Sequence, residues 1–519
     1  MEIQQLQDIY GRHPMIRRLG KALARADVRS IRLSGLQGSA APLFFASFAL
    51  RCPQQLGAPY LFVMNDEEEA AYFYQDMVQL LGDEQVLYFP SSFKRAVKYG
   101  QRDSANVVLR TEVLSRLSGG ALPLFVITSP QALSEQVIDS SSLQGHTLEL
   151  SVGDARDIMD VQQSLLDMGF LRVDYVYEPG QFALRGSLLD VYSYSSELPY
   201  RIDFFGDEVD SIRTFDVQDQ LSVKKLQHVS IIPDSSAQAD VSVQSFLSFL
   251  PEDTLFIARD TIYICDCVQK IWTDGFSAQA LLVQESEGQY EEIPKGTPQD
   301  SPAQGQVLLD RDTLLTPPHL FSSQLQQFRM LMLTSSDVQK ADVVLEAHTL
   351  PQPIFHKNFD LLFQALQDYH DREYDIYVLS ENASQTDRLD AIFRDRQLPF
   401  RFIPVDHTLH SGFVDDDLHL CCFTDHQIFD RFHRYHLQSD RTRSGRVALT
   451  LKELQQFQIG DYVVHIDHGI GRFGGLFRIP NGDTWQEVIK IIYKNDDVVF
   501  VSIHSLHKVS KYRGRDGEP

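Results

Sequence analysis

Through the first 130 residues, short continuous apolar runs alternate with segments whose apolar residues recur at helical spacing. Tyr60–Met64 is a run of the kind a buried parallel strand needs. Asn65 follows as a predicted N-cap, Asp66 to Glu69 fill the first helical turn, and Gly82 stands where a C-cap belongs. Val86–Phe89 and Leu124–Thr128 predict two further strands. Between them, Val108, Val113 and Leu117 share one face of a helix predicted over Ser104–Leu117. Strand and helix in alternation predict a doubly wound α/β domain.

The pattern changes near residue 150. From Leu171 to Phe215, β-forming residues are broken by turns at Glu178-Pro-Gly180, Arg185-Gly186 and Gly206-Asp207, which predicts an inserted, antiparallel α+β module. Residues 283–305 read as a loop. A second α/β pattern runs from Phe355, with strands at Asp375–Ser380 and Leu418–Phe423 and a helix at Ser384–Arg394. Residues 436–450 are polar and basic and read as a linker. Four closely spaced strands then follow, Tyr462–Ile466, Arg472–Phe477, Glu487–Tyr493 and Val498–Ile503, and predict a small β-barrel. The expected organisation is a multidomain α/β chain. Residues 1–130 and 216–345 form one α/β domain, 131–215 the inserted module, 346–438 a further α/β domain, 439–455 a linker and 456–519 the barrel.

Composition narrows the function. Of 519 residues, 43% are hydrophobic and 11% aromatic, which supports packed cores and excludes a mainly disordered chain. The net charge of −24 argues against a broad non-specific nucleic-acid surface, because the chain repels phosphate overall. Five cysteines with no disulfide-like spacing point to a reducing compartment. The longest apolar run, Ala40–Leu50, is too short to span a bilayer, and the first residues have no signal-peptide core. The expectation is a cytoplasmic protein without membrane contact.

Candidate chemistry centres on Gly35-Leu-Gln-Gly38-Ser39-Ala-Ala41-Pro42, which follows a predicted strand. A phosphate loop cradles phosphates with backbone amides, reaches them with Lys and binds Mg²⁺ through Ser or Thr. Here Gly35, Gly38 and Ser39 keep the turn, but Ala41 stands at the Lys position and Pro42 at the hydroxyl position. Pro is tolerated in a first helical turn, so the fold survives while ammonium, hydroxyl and one N–H are lost. No catalytic residue and no nucleotide chemistry are expected at this loop. Leu61 to Glu67 imitates a strand ending in a Mg²⁺-binding acid pair, but reads equally as acids at a helix start. No G-x-S-x-G, H-E-x-x-H or C-x-x-C occurs. Cys265, Cys267, Cys421 and Cys422 lie in strand-like apolar context and read as core. The pairs His465/His468 and His504/His507 have possible zinc spacing, but flanking turns explain them as well, and no metal is expected. Arg431, Arg434, Arg441, Arg443 and Arg446 form a local basic cluster that reads as a solvated linker.

Several blocks together resemble one family. The degenerate loop, Tyr99-Gly-Gln-Arg-Asp-Ser104 and Val126-Ile-Thr-Ser-Pro130 are similar to the N-terminal part of the transcription-repair coupling factors. So are Glu178-Pro-Gly-Gln-Phe-Ala-Leu-Arg-Gly-Ser-Leu-Leu-Asp190 and Arg201-Ile-Asp-Phe-Phe-Gly-Asp-Glu208, which also resemble the second domain of the excision-repair protein UvrB. Phe457 to Leu476 resembles the opening of the family's RNA-polymerase-interacting domain, a Tudor-like barrel shared with CarD-type regulators.

The resemblance implies a UvrB-like module that no longer binds ATP, a UvrA-recruiting second domain and a barrel that grips the β subunit of stalled RNA polymerase. It places the ATP- and Mg²⁺-dependent DNA translocase, and most DNA contact, further C-terminal, so the chain resembles a monomeric fragment of a longer protein. Arg185 matches the family's UvrA-contacting arginine, with Arg172 and Arg201 as possible helpers; Ala183 stands where UvrB-like sequences often have a second Arg. The other reading of Arg185 is a turn-stabilising partner for a carboxylate. Leu476, Arg478 and Ile479 fall where the family places its polymerase contact, and Leu476 and Ile479 read alternatively as barrel core. Two rival functions are a nucleic-acid-dependent ATPase or helicase fragment and a CarD-type transcription regulator.

Overall fold

The computed structural model describes residues 1–92, 104–120, 123–217, 220–234, 242–274, 311–336, 340–396, 399–431, 460–465, 468–481, 484–493, 497–502 and 509–511. The Tyr99–Ser104 block, all but its last residue, and the 283–305 and 436–450 segments lie outside them, as do Arg434, Arg441, Arg443, Arg446, His504 and His507. Two compact units emerge, one built from Met1–Gln144 and Gln238–Leu437, the other from Gly145–Ala237 and Gln438–Pro519.

The first unit opens with two helices, α1 (Ile3–Tyr10) and α2 (Pro14–Leu23). Ile3, Leu6, Gln7 and Tyr10 bury one face of α1. Then come β1 (Ser30–Ser34), α3 (Ala40–Arg51), β2 (Tyr60–Val63), α4 (Glu67–Leu81), β3 (Val86–Phe89), α5 (Ser104–Ser118) and β4 (Phe125–Thr128). Asp66, rather than Asn65, caps α4, accepting the Glu69 N–H at 2.8 Å. Later strands complete a seven-stranded parallel sheet in the order Val343–Glu346, β1, Arg329–Met332, Leu255–Ala258, β2, β4, β3. The apolar β2, β3 and β4 are buried at every residue, as a covered parallel sheet requires.

A second, five-stranded mixed sheet runs Thr349–Pro351, Phe413–Asp415, Leu420–Thr424, Asp375–Leu379, Ile403–Val405. It shares a core with the first: Tyr377, Leu379, Phe413 and Cys422 join the cluster that contains α1, α3 and β2. Helix α3, the longest apolar run of the sequence, is buried from Ala40 to Ala49, and Tyr10 meets Phe413 edge-on at 5.9 Å. The sheet's other face packs on Phe359–Asp371 and Ala383–Asp395 around Phe363, Leu366, Leu389 and Phe393. Cys265 and Cys267 correct the strand-like reading: they lie half-buried on the helix Thr261–Asp274, opened by Asp260, which accepts the Ile262 and Tyr263 N–H groups. Cys421 and Cys422 are buried on a strand.

In the second unit, residues 145–237 hold a six-stranded sheet in the order Ser222–Leu226, Glu208–Phe215, Tyr200–Phe205, Leu188–Val191, Gln181–Arg185, Leu171–Arg172. All neighbours are antiparallel except the last pair. The helix Ile158–Asp167 covers one face through Val161 and Leu165, which pack with Phe182, Leu189 and Ile202. Strands Ser222–Leu226 and His228–Ile231 lie past residue 215, where the sequence pattern ends the module. Every residue of SVKKL except its last is exposed, so that strand carries no alternating signal.

Residues 462–511 form a five-stranded antiparallel sheet, in the order Val498–Ser502, Thr484–Ile492, Gly469–Asn481, Tyr462–His465, Val509–Lys511. Val463, Phe473, Ile489, Ile491 and Val501 make its core. The last strand has three residues and escaped the sequence pattern. Among the described residues, no helix is long and apolar enough to cross a membrane.

Candidate functional site

Gly35 to Ser39 form the turn between β1 and α3, as the loop reading expects. Gly35 (φ +83°) and Gly38 (φ +53°) occupy the left-handed region that glycine adopts without a Cβ clash. A cleft of about 660 Å³ opens beside this turn at the carboxyl ends of β1, β2 and the strands Leu255–Ala258 and Arg329–Met332. Ala41 faces the cleft and Pro42 is buried in α3. Of the residues lining the cleft, Arg259 is the one cation, and its guanidinium is paired with Glu69 at 2.6 Å. Sequence reasoning sought the acid pair at Asp66-Glu67. Asp66 is a helix cap, and Glu67 stands exposed beside it in the first helical turn. Arg259-Asp260 ends a strand that reaches the cleft, and the Asp260 carboxylate is committed to its own helix cap.

Arg185 and Arg201 lie on the sheet face opposite the module's main core, whereas Arg172, in register with Phe182, is on the core-side face at the sheet edge. Asp190, 1% exposed, accepts from both Arg185 and Arg201. Arg201 is bidentate, Nε to Oδ1 at 2.7 Å and Nη2 to Oδ2 at 2.9 Å; it also donates to Gln220 and stacks over Phe215. With 12% of its side chain exposed, Arg201 has little left to offer a partner. Arg185 keeps 34% of its side chain in solvent and lies 4.9 Å over the Tyr175 ring. The carboxylate-partner reading of Arg185 matches its pair with Asp190, and part of its guanidinium stays in solvent. Ala183 is buried opposite Asp190. Arg172 is exposed on the edge strand beside Leu171, itself 63% exposed.

In the C-terminal sheet, a bulge between Phe473 and Leu476 inserts one extra residue, with Gly475 at φ +103°. Leu476 then pairs with the core residue Ile489 yet stays 48% exposed, so it sits at the margin of the core. Phe477 was missed by the sequence reading. It is 45% exposed, with the Lys490 ammonium 5.6 Å from its ring centroid, and Phe500, opposite Lys490, is 50% exposed. Ile479 pairs with Gln486 along the same strand. For Arg478 and Ile479 only the strand position is described.

Among the described residues, one group has donors close enough together for a metal: His13, Asp415 and Asp417, whose ligand atoms lie within 4.8 Å of one another. His13 Nε2 is 3.5 Å from Asp415 and 3.4 Å from Asp417. Its Nδ1, however, accepts the Met15 N–H at 3.1 Å as the cap of α2. That lone pair puts the ring proton on Nε2, where a metal would have to bind. Burial favours the neutral ring by lowering the His13 pKa, and it raises that of Asp415. The donor set therefore suits an N–H shared between carboxylates rather than a metal ion. Of the two histidine pairs with possible zinc spacing, His465 is buried and its ring centroid lies 4.7 Å from that of His468.

Two family comparisons match parts of the chain: residues 148–236 match the UvrB interaction domain, and residues 457–513 match the CarD-like/TRCF RID domain. Over 92% of its length the chain is 24% identical to a transcription-repair-coupling factor of Staphylococcus aureus, covering 45% of that protein. It is 23% identical over 98% of its length to one from Staphylococcus haemolyticus, covering 46%. The chain thus spans about half the length of the curated relatives it matches.

Proposed function

We propose that this chain, similar along its length to transcription-repair-coupling factors and carrying both a UvrB interaction domain and a CarD-like/TRCF RID domain, is an adaptor of transcription-coupled DNA repair. The 462–511 sheet, a Tudor-like barrel in this reading, binds the β subunit of stalled RNA polymerase. The 145–237 module recruits UvrA. DNA translocation, with its ATP and Mg²⁺, is assigned in this reading to the part of the relatives that the chain does not match, and no catalytic step is proposed for the chain itself. The observation that carries the proposal is the presence of both matched domains on one chain.

The geometry supports the division of labour. Arg185 keeps a guanidinium edge in solvent on one face of the module's sheet and Arg172 is exposed on its edge strand, both suited to acidic groups of a partner. Phe477 and Phe500 present apolar anchors on an outward sheet face, the usual chemistry of a small interface centre. The α/β module lacks the charges that phosphoryl transfer requires, with Ala41 and Pro42 in the loop and Arg259 neutralised by Glu69.

Bridging is the direct test. Mixed with UvrA and the RNA polymerase β subunit, the chain is expected to form one ternary complex on size exclusion. Arg185→Ala removes UvrA from the complex and Ile479→Glu removes polymerase, each leaving the other partner bound. Two mutually exclusive binary complexes, or none, would contradict the adaptor reading.

A further inference from the structure

The loop Gly35–Ser39 is not left open on the side away from the cleft; two straps from the second sheet's half of the unit lie on it. The first strap is Ala347 to Thr349. A Cβ on Gly35 would sit 1.7 Å from the Ala347 carbonyl oxygen, so only glycine fits. Ala347 N–H donates to Ser34 O at 3.0 Å, and Thr349 donates to Gly35 O through its N–H (3.1 Å) and its hydroxyl (2.7 Å). The Thr349 hydroxyl also accepts the Gln37 N–H at 2.7 Å.

The second strap is His410 to Gly412. Ser39 N–H donates to Ser411 O at 3.1 Å, and Ser411 N–H donates back to Ser39 Oγ at 2.8 Å. Ser39 Oγ donates to Asp76 at 2.5 Å, and the other oxygen of Asp76 accepts the His410 N–H at 2.7 Å. The His410 ring stacks on Tyr72 at 3.5 Å. The strap is itself fixed from behind. Gly412 N–H donates to Gln427 at 2.7 Å, Gln352 N–H donates to Gly412 O at 3.0 Å, and a Cβ on Gly412 would strike Gln352.

A phosphate cradle works by pointing unspent amide N–H groups at an anion. In this loop the Gln37 and Ser39 amides are spent on Thr349 and Ser411. The hydroxyl of Ser39 is spent on Asp76, a buried carboxyl group that occupies the position beside it. We infer that the Gly35–Ser39 loop is an internal docking site: the 347–349 and 410–412 straps hold the positions a phosphate's partners would need, so anchoring of the second sheet and exclusion of nucleotide are one feature. The lost lysine is then not the sole obstacle to nucleotide binding. The joint is set by folding and does not respond to ATP. This inference is independent of either partner of the adaptor reading.

Hydrogen exchange on the full chain tests it, together with fluorescent ATP·Mg²⁺ binding. Asp76→Ala is expected to accelerate exchange at least tenfold in both 34–39 and 407–413, while the helix 158–167 is unchanged. Ser39→Ala, a smaller change, reports the same coupling should Asp76→Ala fail to fold. Ala41→Lys combined with Pro42→Thr, which restores the missing side chains, is expected to bind no ATP·Mg²⁺. ATP binding by that double variant, or exchange that accelerates at one strap partner without the other, would overturn the inference.

Discussion

At the scale of single residues, Asp190 and Asp76 show opposite uses of a buried carboxylate. Asp190 is matched by two guanidinium groups, so removing it leaves two arginines without their partner in a mostly buried face. Asp190→Ala should cost about 3 kcal/mol in urea unfolding. Arg185→Ala, which removes the half-exposed member, should cost under about 1 kcal/mol yet weaken UvrA capture at least tenfold. Similar stability losses for the two variants would make Arg185 purely structural. Asp76 has only neutral donors, and burial lifts its carboxyl to about 7. The folded chain therefore holds the Asp76 proton where the unfolded chain has released it. This group's contribution to stability consequently falls as pH rises from about 4 to about 7. Asp76→Asn removes that slope. Compared at pH 5 and pH 8, the variant should gain about 1–3 kcal/mol on wild type at the higher pH; an unchanged difference would show that Asp76 does not titrate in this range.

At the scale of elements, the sequence was legible where burial is continuous or periodic. The runs at Tyr60, Val86, Leu124, Asp375 and Leu418 became strands within a residue or two, because covered strands must be apolar throughout. Helices α1 and α2 went unread although Ile3, Leu6 and Tyr10 are helically spaced and Pro14 stands at a first-turn position. The reading of Cys265 and Cys267 failed because a short apolar stretch fits strand and helix alike. Phe477 was hidden by the bulge, which breaks the period-two pattern between Phe473 and Leu476. That bulge relies on Gly475 at φ +103°. Gly475→Ala should cost about 1–2 kcal/mol and disturb the exposed face beyond it, read as lower Tm together with weaker polymerase binding. A Tm and an affinity both unchanged would mean that the turn tolerates a side chain.

At the scale of the whole molecule, local pattern could not reveal what long-range pairing builds. The straps on the Gly35–Ser39 loop join Ser39 to Ser411 across 372 positions, and the two sheets of the first unit merge around α3 into one core. Ala41 and Pro42 carry the sequence's reading of a degenerate loop, but local pattern did not show what occupies the loop's amides. The second unit presents its candidate contacts on two sheets: guanidinium groups beside Asp190, aromatic rings beside Lys490. Neither requires nucleotide. The adaptor account therefore predicts binding governed by surface chemistry alone. Its most direct test is titration of the chain against the N-terminal lobe of the RNA polymerase β subunit, without ATP, using wild type, Phe477→Ala and Ile479→Glu. The account predicts saturable binding by wild type, at least a tenfold loss with Phe477→Ala and abolition with Ile479→Glu, with Tm unchanged. A folded wild-type chain that fails to bind, or binding indifferent to both substitutions, would contradict it.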